Sequence, residues 1–397
     1  MSTFKAIEPA KFPWYKYSDY TFSLGLTSGN DAYISGHTAS TYDPDSKRMV
    51  LVGGMRDQVT ISYDKIERIL EAANMTLADV TRIVENITVK GLPHYEECEA
   101  VRIERLHGHK PTVTTVIVEG LLRPEALAEI EVYATKGGGK SLHVGEDSGW
   151  SRRTVVEGHD GSVFLPTLLP IDDEGNVVHE GDFVAQYRYC LERGSDLLGR
   201  VGLTLANAVT TYDYSTPETR TIYGKASRVR KELLGGSGVF PGAGGILMSQ
   251  LHKPGVLVAI DLVASKYPLT AVNPGWSRYD TLSYTPGVIA GKTLYMSGFA
   301  SLDMETQEAV HPGDIVAQAQ TTYEAVVKVL NAAGVGPEAL VNTIEYVVPE
   351  GLKDYRGVAK VRENIMSKPW PTSTGALCRS LLRPEFLLEV FPLAVLP

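Results

Sequence analysis

Residues Pro111 to Glu131 read PTVTTVIVEGLLRPEALAEIE, and this stretch decides the fold. It returns as Pro371 to Val390, PTSTGALCRSLLRPEFLLEV, 371 − 111 = 260 residues later. A blurred copy starts halfway between, at Pro241: PGAGGILMSQLHKPGVLVAID. Copies at a step of about 130 residues point to a repeat architecture. Other landmarks keep the register. Gln58, Gln186 and Gln318 lie 186 − 58 = 128 and 318 − 186 = 132 residues apart. Tyr95, Tyr223 and Tyr355 keep those steps, as do Arg102, Arg230 and Arg362, each preceded by valine. The chain therefore divides into three units, residues 1–137, 141–268 and 269–397, with the first break at the Lys136-Gly-Gly-Gly-Lys140 linker.

Unit one sets the pattern. Alternating segments around Phe22 to Leu26 and Ala32 to Ser35, split by Asn30-Asp31, predict a hairpin. Val59, Tyr63, Ile66, Ile69, Leu70 and Ala73 fall on one helical face, with Asp57 as the expected cap. Ile83 to Val89 reads as a strand, Tyr95 to Leu106 as a second helix, and Pro111 to Val118 and Leu127 to Tyr133 as closing strands. The order is ββ-α-β-α-ββ. Such a sheet has helices on one face, and its other face needs cover. Three linked copies can supply it by packing around a pseudo-threefold axis. The expected fold is α+β: three tandem domains, sheets inside and helices outside.

Composition bounds the function. The chain is 43% hydrophobic and 21% charged, as in an ordinary globular protein. No apolar run reaches a membrane span, and the first residues lack the apolar core of a secretory signal. Three scattered cysteines form no metal spacing and fit a reducing cytoplasm. A net charge of −9 argues against nucleic acid as the main partner. No phosphate loop, dinucleotide motif or Ser-His-Asp order is present, so no cofactor is expected. The expected partner is a small molecule, and a homo-oligomer stays open.

Units one and three share Ile34-Ser35-Gly36 and Met296-Ser297-Gly298, where unit two has Leu165-Pro166-Thr167. Their first helices end LEAAN and LNAAG, and both close with Pro…LRP…E. In this the chain resembles the RidA/YjgF/UK114 family, over most of units one and three and the second half of unit two. Members of that family are homotrimers of one-unit chains with small-molecule clefts between subunits, and many hydrolyse enamines or imines to ketones and ammonia. The resemblance implies a trimer fused into one chain. It also implies an arginine two residues after the proline that opens the closing segment. Those positions are Val113, Ala243 and Ser373, so the group expected to hold a substrate carboxylate is missing. The family's cleft glutamate matches Glu129 and Glu389, with Ala259 in unit two. The family's tyrosine before the first strand matches Tyr284, with Phe22 in unit one.

Each candidate has a structural counterpart reading. Glu389 and Glu129 are the expected catalytic carboxyls, as general base or as an acid that protonates carbon; otherwise they are solvated strand carboxylates. Ser297 and Tyr284 complete the catalytic set, although a turn serine and a core tyrosine are equally ordinary. Ser35, His37, Phe299, Ser373, Arg379, Arg383 and Arg123 are the expected substrate-binding residues. A histidine at 37 could shuttle protons near neutrality. Arg123 and Arg383 could bind an anion, but a clamp onto a neighbouring carboxylate is preferred. The recurring acid Glu85, Asp213 and Glu345 is expected to pair with the recurring arginine. Since unit two lost both the Ser-Gly pair and the glutamate, the working cleft is expected between units one and three. These residues predict a cofactor-independent hydrolase or deaminase. A binding or chaperone-like protein is the alternative, then a cyclic-amide or enol-ether hydrolase.

Overall fold

The computed structural model describes residues 4–145 and 149–397; the first three residues of the N-terminal stretch lie outside it. The fold is mixed α+β with three large sheets. The first orders Lys5–Ala6, Gly25–Ser28, Asp31–His37, Ala128–Thr135, Val80–Thr88 and Thr112–Val118 side by side. In the middle sheet Ser162–Phe164, Val258–Ser265, Ala208–Ser215 and Gly242–Leu247 follow the same order. In the last sheet it is Thr293–Met296, Leu388–Val395, Leu340–Val347 and Thr372–Leu377.

The sheets are not wholly antiparallel. In each, the strand after the first helix runs parallel to the strand after the second. Parallel strands need a crossover connection, and the second helix supplies it. The long first helices are α1 (Met55–Ala72), α3 (Phe183–Arg200) and α5 (Ile315–Ala332). The short second helices are α2 (Tyr95–Leu106), α4 (Ala226–Leu234) and α6 (Val358–Ile365). Asp57 does not occupy the expected cap position. The cap is Gly54, and Asp57 sits at the third helical residue, accepting the Gly54 N–H at 3.3 Å. Asp182 and Asp314 do cap α3 and α5 with their side chains.

The repeating glutamine has a physical cause. Gln58 donates to the carbonyls of Gly53 and Glu125 and accepts the Leu127 N–H. Gln186 does the same with Val178, Gly255 and Leu257, and Gln318 with His311, Glu385 and Leu387. Each buried amide ties the start of a long helix to the turn before a central strand.

Behind the helices each sheet has its own apolar core. A further cluster draws on all three, bringing Val84 and Val116 together with Tyr214, Ile246, Tyr346 and Phe391. The sheets also exchange edges. Gly120–Leu121 extends the last sheet by pairing with Ala376–Leu377, and Ser380–Leu381 extends the middle one. The glycine linker is a tight turn: Gly137, Gly138 and Gly139 all have φ between 64° and 88°, the left-handed region where side chains are strained. Among the described residues no helix is long and apolar enough to cross a membrane.

Candidate functional site: two open seams and one filled

The facing edges of the sheets make three seams, and the chain treats them differently. Between the first and last sheets lies a cavity of about 510 Å³, lined by Glu129, His37, Lys65 and Arg123 on one side and Tyr355, Arg362 and Ser373 on the other. Between the middle and last sheets lies one of about 340 Å³, lined by Tyr223, Arg230 and Gly244 opposite Tyr284, Phe299 and Glu389. The seam between first and middle sheets is packed. Trp150 stacks on Tyr95 at 4.4 Å, Arg152 bonds the Tyr95 and Thr115 hydroxyls, and His252 meets the Thr115 carbonyl at 3.0 Å.

The two glutamates therefore do not share a cleft. Glu129 lies between first and last sheets, as expected. Glu389 faces the middle sheet, against the expectation of a shared cleft with Glu129. Both carboxyls are buried, at 7% and 9% exposure. Glu389 has no hydrogen-bond or ion-pair partner among the described residues, and burial alone pushes it up to about 8. Burial and then the Glu131 charge push Glu129 up to about 8, against the Gly375 amide and Lys65.

The glycine of the Ser-Gly pair leaves room for these carboxyls. A Cβ at Gly36 would overlap Glu129 Oε1, and a Cβ at Gly298 would overlap Glu389 Oε1 and come within 2.9 Å of the Phe391 ring. Where the glutamate is Ala259, the glycine is free to be Thr167, whose hydroxyl takes the Thr115 N–H at 2.7 Å. Gly298→Ala is expected to displace the Glu389 carboxyl, at a cost of ~1–3 kcal/mol of stability. Thermal unfolding checks it: an unchanged melting temperature would mean that the carboxyl does not fill this space.

Several expected residues are placed elsewhere or do other work. Ser35 and Ser297 are fully buried and bonded to backbone. Ser35 accepts the Ser373 N–H and donates to the Ser23 carbonyl; Ser297 accepts the Ala243 N–H and donates to the Thr285 carbonyl. They hold the seams closed behind the clefts and line neither, which corrects the catalytic role of Ser297 and the binding role of Ser35. Arg379 is exposed and lines neither cleft. His37 is 2% exposed and burial drives it down to about 3, so it stays neutral rather than shuttling protons near neutrality. Arg123 and Arg383 clamp no carboxylate: Arg383 donates to the Gln307 carbonyl at 2.6 Å, and Arg123 has no partner among the described residues. Tyr284 and Phe299 do line the Glu389 cleft, and Ser373 the Glu129 cleft. The Arg278 guanidinium reaches the Tyr284 hydroxyl at 3.4 Å.

The recurring acid and arginine lie within ion-pair distance in all three sheets, with a direct hydrogen bond in two. Arg102 bonds Glu85, and Arg362 bonds Glu345 at 2.9 and 2.7 Å. In the middle sheet Arg230 stands 3.9 Å from Asp213, beyond a hydrogen bond, and Tyr187 relays between them. Arg230 and Arg362 also line the open clefts.

Sequence reasoning missed Lys65. It shares a buried line on α1 with Gln58, Ser62 and Ile69, so a charge on a core face was its signal. Among the described residues no His, Cys, Asp and Glu cluster could hold a metal ion.

Mixed α+β sheets with cavities where their edges meet define the class, and the comparisons define the family. The endoribonuclease L-PSP family profile matches residues 16–136 and 279–396, more than half of the chain. The chain belongs to that family, and the matched segments are two copies of its domain. The RutC family protein UK114 of Drosophila melanogaster is 32% identical over 88 residues, 22% of this chain and 62% of that protein. The chain thus matches less than two thirds of that relative's length. A crystal structure of chorismatase covers 80% of this chain and 93% of its own at 16% identity, with a TM-score of 0.50, a likeness of fold. Yeast Mmf1 covers 33% of this chain and 98% of its own at 21% identity, with a TM-score of 0.29.

Proposed function

We propose that the chain is three related units, residues 1–137, 141–268 and 269–397, packed about a pseudo-threefold axis, and that it hydrolyses a small enamine, imine or enol ether at the Glu389 cleft without a cofactor. The repeated strand order, the repeated glutamine clamp and the shared central core support the arrangement. So does the single-chain chorismatase that matches most of the length.

One observation carries the reaction: Glu389 is a buried carboxyl without a donor or a cation, facing a cavity. Such a carboxyl keeps its proton near neutrality and can give it to the β-carbon of an electron-rich double bond. The π pair forms the new C–H bond, and the nitrogen or oxygen lone pair stabilises the cation left on the α-carbon. Water adds there, and the Glu389 carboxylate takes one of its protons. Collapse to the ketone releases ammonia or an alcohol. One water is consumed, and Glu389 ends as it began. Chorismate, the compound named in the chorismatase neighbour, carries an enol ether, which puts that bond beside enamines among candidate substrates.

The absent strand arginine favours a second reading, a binding or chaperone-like protein that does not turn its ligand over. A panel of enamines, imines, enol ethers and cyclic amides, assayed for ammonia or alcohol release, separates the two. We expect turnover of an enamine, imine or enol ether that falls as pH rises through about 8, where Glu389 loses its proton. Binding without turnover across the panel would support the second reading. The partner is a small molecule rather than a nucleic acid or a membrane. Three unbridged, buried cysteines fit a reducing cytoplasm.

A further inference from the structure

The Glu129 cleft holds a group that this hydrolysis does not use. Lys65 is 1% exposed, and its Nζ donates to the carbonyls of Thr38 and Ser40 at 2.6 Å each. It forms no salt bridge among the described residues. The Tyr15 and Trp14 rings lie 5.3 and 5.9 Å from the nitrogen, completing an unusually dry setting for an amine. A neutral lysine has two hydrogens and one lone pair. The two carbonyls take both hydrogens, so the lone pair is left over, in a residue that lines a cavity of about 510 Å³.

We infer that this cleft is a second active site, where Lys65 forms an imine with a small carbonyl compound bearing an anionic group. Three further observations fit. Burial pulls the amine down to about 7 against the pull of Glu129, so much of it is unprotonated near neutrality. Glu129, in the same cleft and pushed up to about 8, is an acid for the departing oxygen. The guanidinium groups of Arg123 and Arg356 line the cleft with no hydrogen-bond or ion-pair partner among the described residues, and they supply the charge for the anion.

The step balances. The amine nitrogen bonds to the carbonyl carbon, and the C=O π pair goes to oxygen. Glu129 protonates that oxygen and takes one proton from nitrogen, which gives the carbinolamine. It then protonates the oxygen again, the C–O bond breaks to release water, and the second nitrogen proton returns to Glu129. One neutral imine and one water replace the amine and the carbonyl, and Glu129 ends as it began. Neither the equivalent Arg193 nor Ala325 could do this, so the chemistry belongs to one seam.

Reductive trapping tests it on the full-length protein. Pyruvate with borohydride would convert an imine to a stable secondary amine, located by proteolysis and mass spectrometry. One adduct per chain is expected at Lys65, at least tenfold above any surface lysine and absent from Lys65→Arg. Acetone should label the same residue at least tenfold less than pyruvate. Label spread over surface lysines without excess at Lys65, or no label, would overturn the imine. Equal labelling by acetone would overturn the anionic requirement. The readout on the wild-type chain is a bond at one named residue, so it succeeds or fails independently of the hydrolysis proposed at Glu389.

Discussion

Glu389→Gln should lose hydrolysis and gain stability, and the gain should grow with pH. The loss follows from removing a proton donor to carbon, an effect of ~10²–10⁴ in rate. The gain follows from linkage. A carboxyl titrates at about 4.3 in an unfolded chain, and Glu389 titrates at about 8 in the folded one. Its folded pKa is raised, so the stability linked to the bound proton is fully present below pH 4.3. It is lost progressively as pH rises from there to 8. The slope approaches ~1.4 kcal/mol per pH unit. Glutamine has the same shape and no proton to lose. The variant should therefore match the wild type near pH 4 and melt higher at pH 8. Thermal unfolding at both values checks the sign. A variant that melts lower at pH 8 would mean that the carboxyl is ionised and stabilising in the native state.

The second large effect is at Arg362. Glu345 is fully buried and accepts two hydrogen bonds from the Arg362 guanidinium, with further ones from Tyr323 and from Tyr355 at 2.5 Å. Burial pushes Glu345 up, but the guanidinium and the tyrosines outweigh it and hold the carboxyl below its usual range. Arg362→Leu would strand a charge in the core, at a cost of ~3–5 kcal/mol. Removing both charges, with Glu345→Leu added, should recover most of that loss. Arg230→Leu should cost less, because Asp213 lies 3.9 Å away and takes hydrogen bonds from Tyr187 and Tyr223 instead. Denaturant unfolding of the four proteins orders these costs. A single-variant loss under about 1 kcal/mol would place Glu345 among solvated carboxylates.

What the sequence made legible were contacts within one sheet and its helices. The glutamine and tyrosine landmarks recur because each makes the same short-range bonds, the glutamines to a neighbouring turn and Tyr95, Tyr223 and Tyr355 to Glu85, Asp213 and Glu345. The glycine and the glutamate vanish together in the middle of the chain because the carboxyl needs the space a Cβ would fill. What stayed hidden depends on how the sheets meet. Which edge Glu389 faces is fixed by the packing of distant segments, and no spacing encodes it. Trp150 and Arg152 sit beyond the linker, between Lys140–His143 and Val155–Glu157, where none of the spaced landmarks falls, so their filling of one seam could not be read. Lys65 was legible in principle, as a charge on an apolar helical line, but only burial shows that it has no counter-ion. Ser35 and Ser297 misled because a hydroxyl bound to backbone and one bound to a ligand look alike in one dimension.

The most direct test of the account needs no substrate. Infrared titration of the protein, with Glu389→Gln and Glu129→Gln for subtraction, reports whether each carboxyl carries a proton. At pH 7 each subtraction should reveal one protonated carboxyl band that fades as pH rises through about 8. Bands absent at pH 7, with both carboxyls already ionised at pH 6, would contradict it.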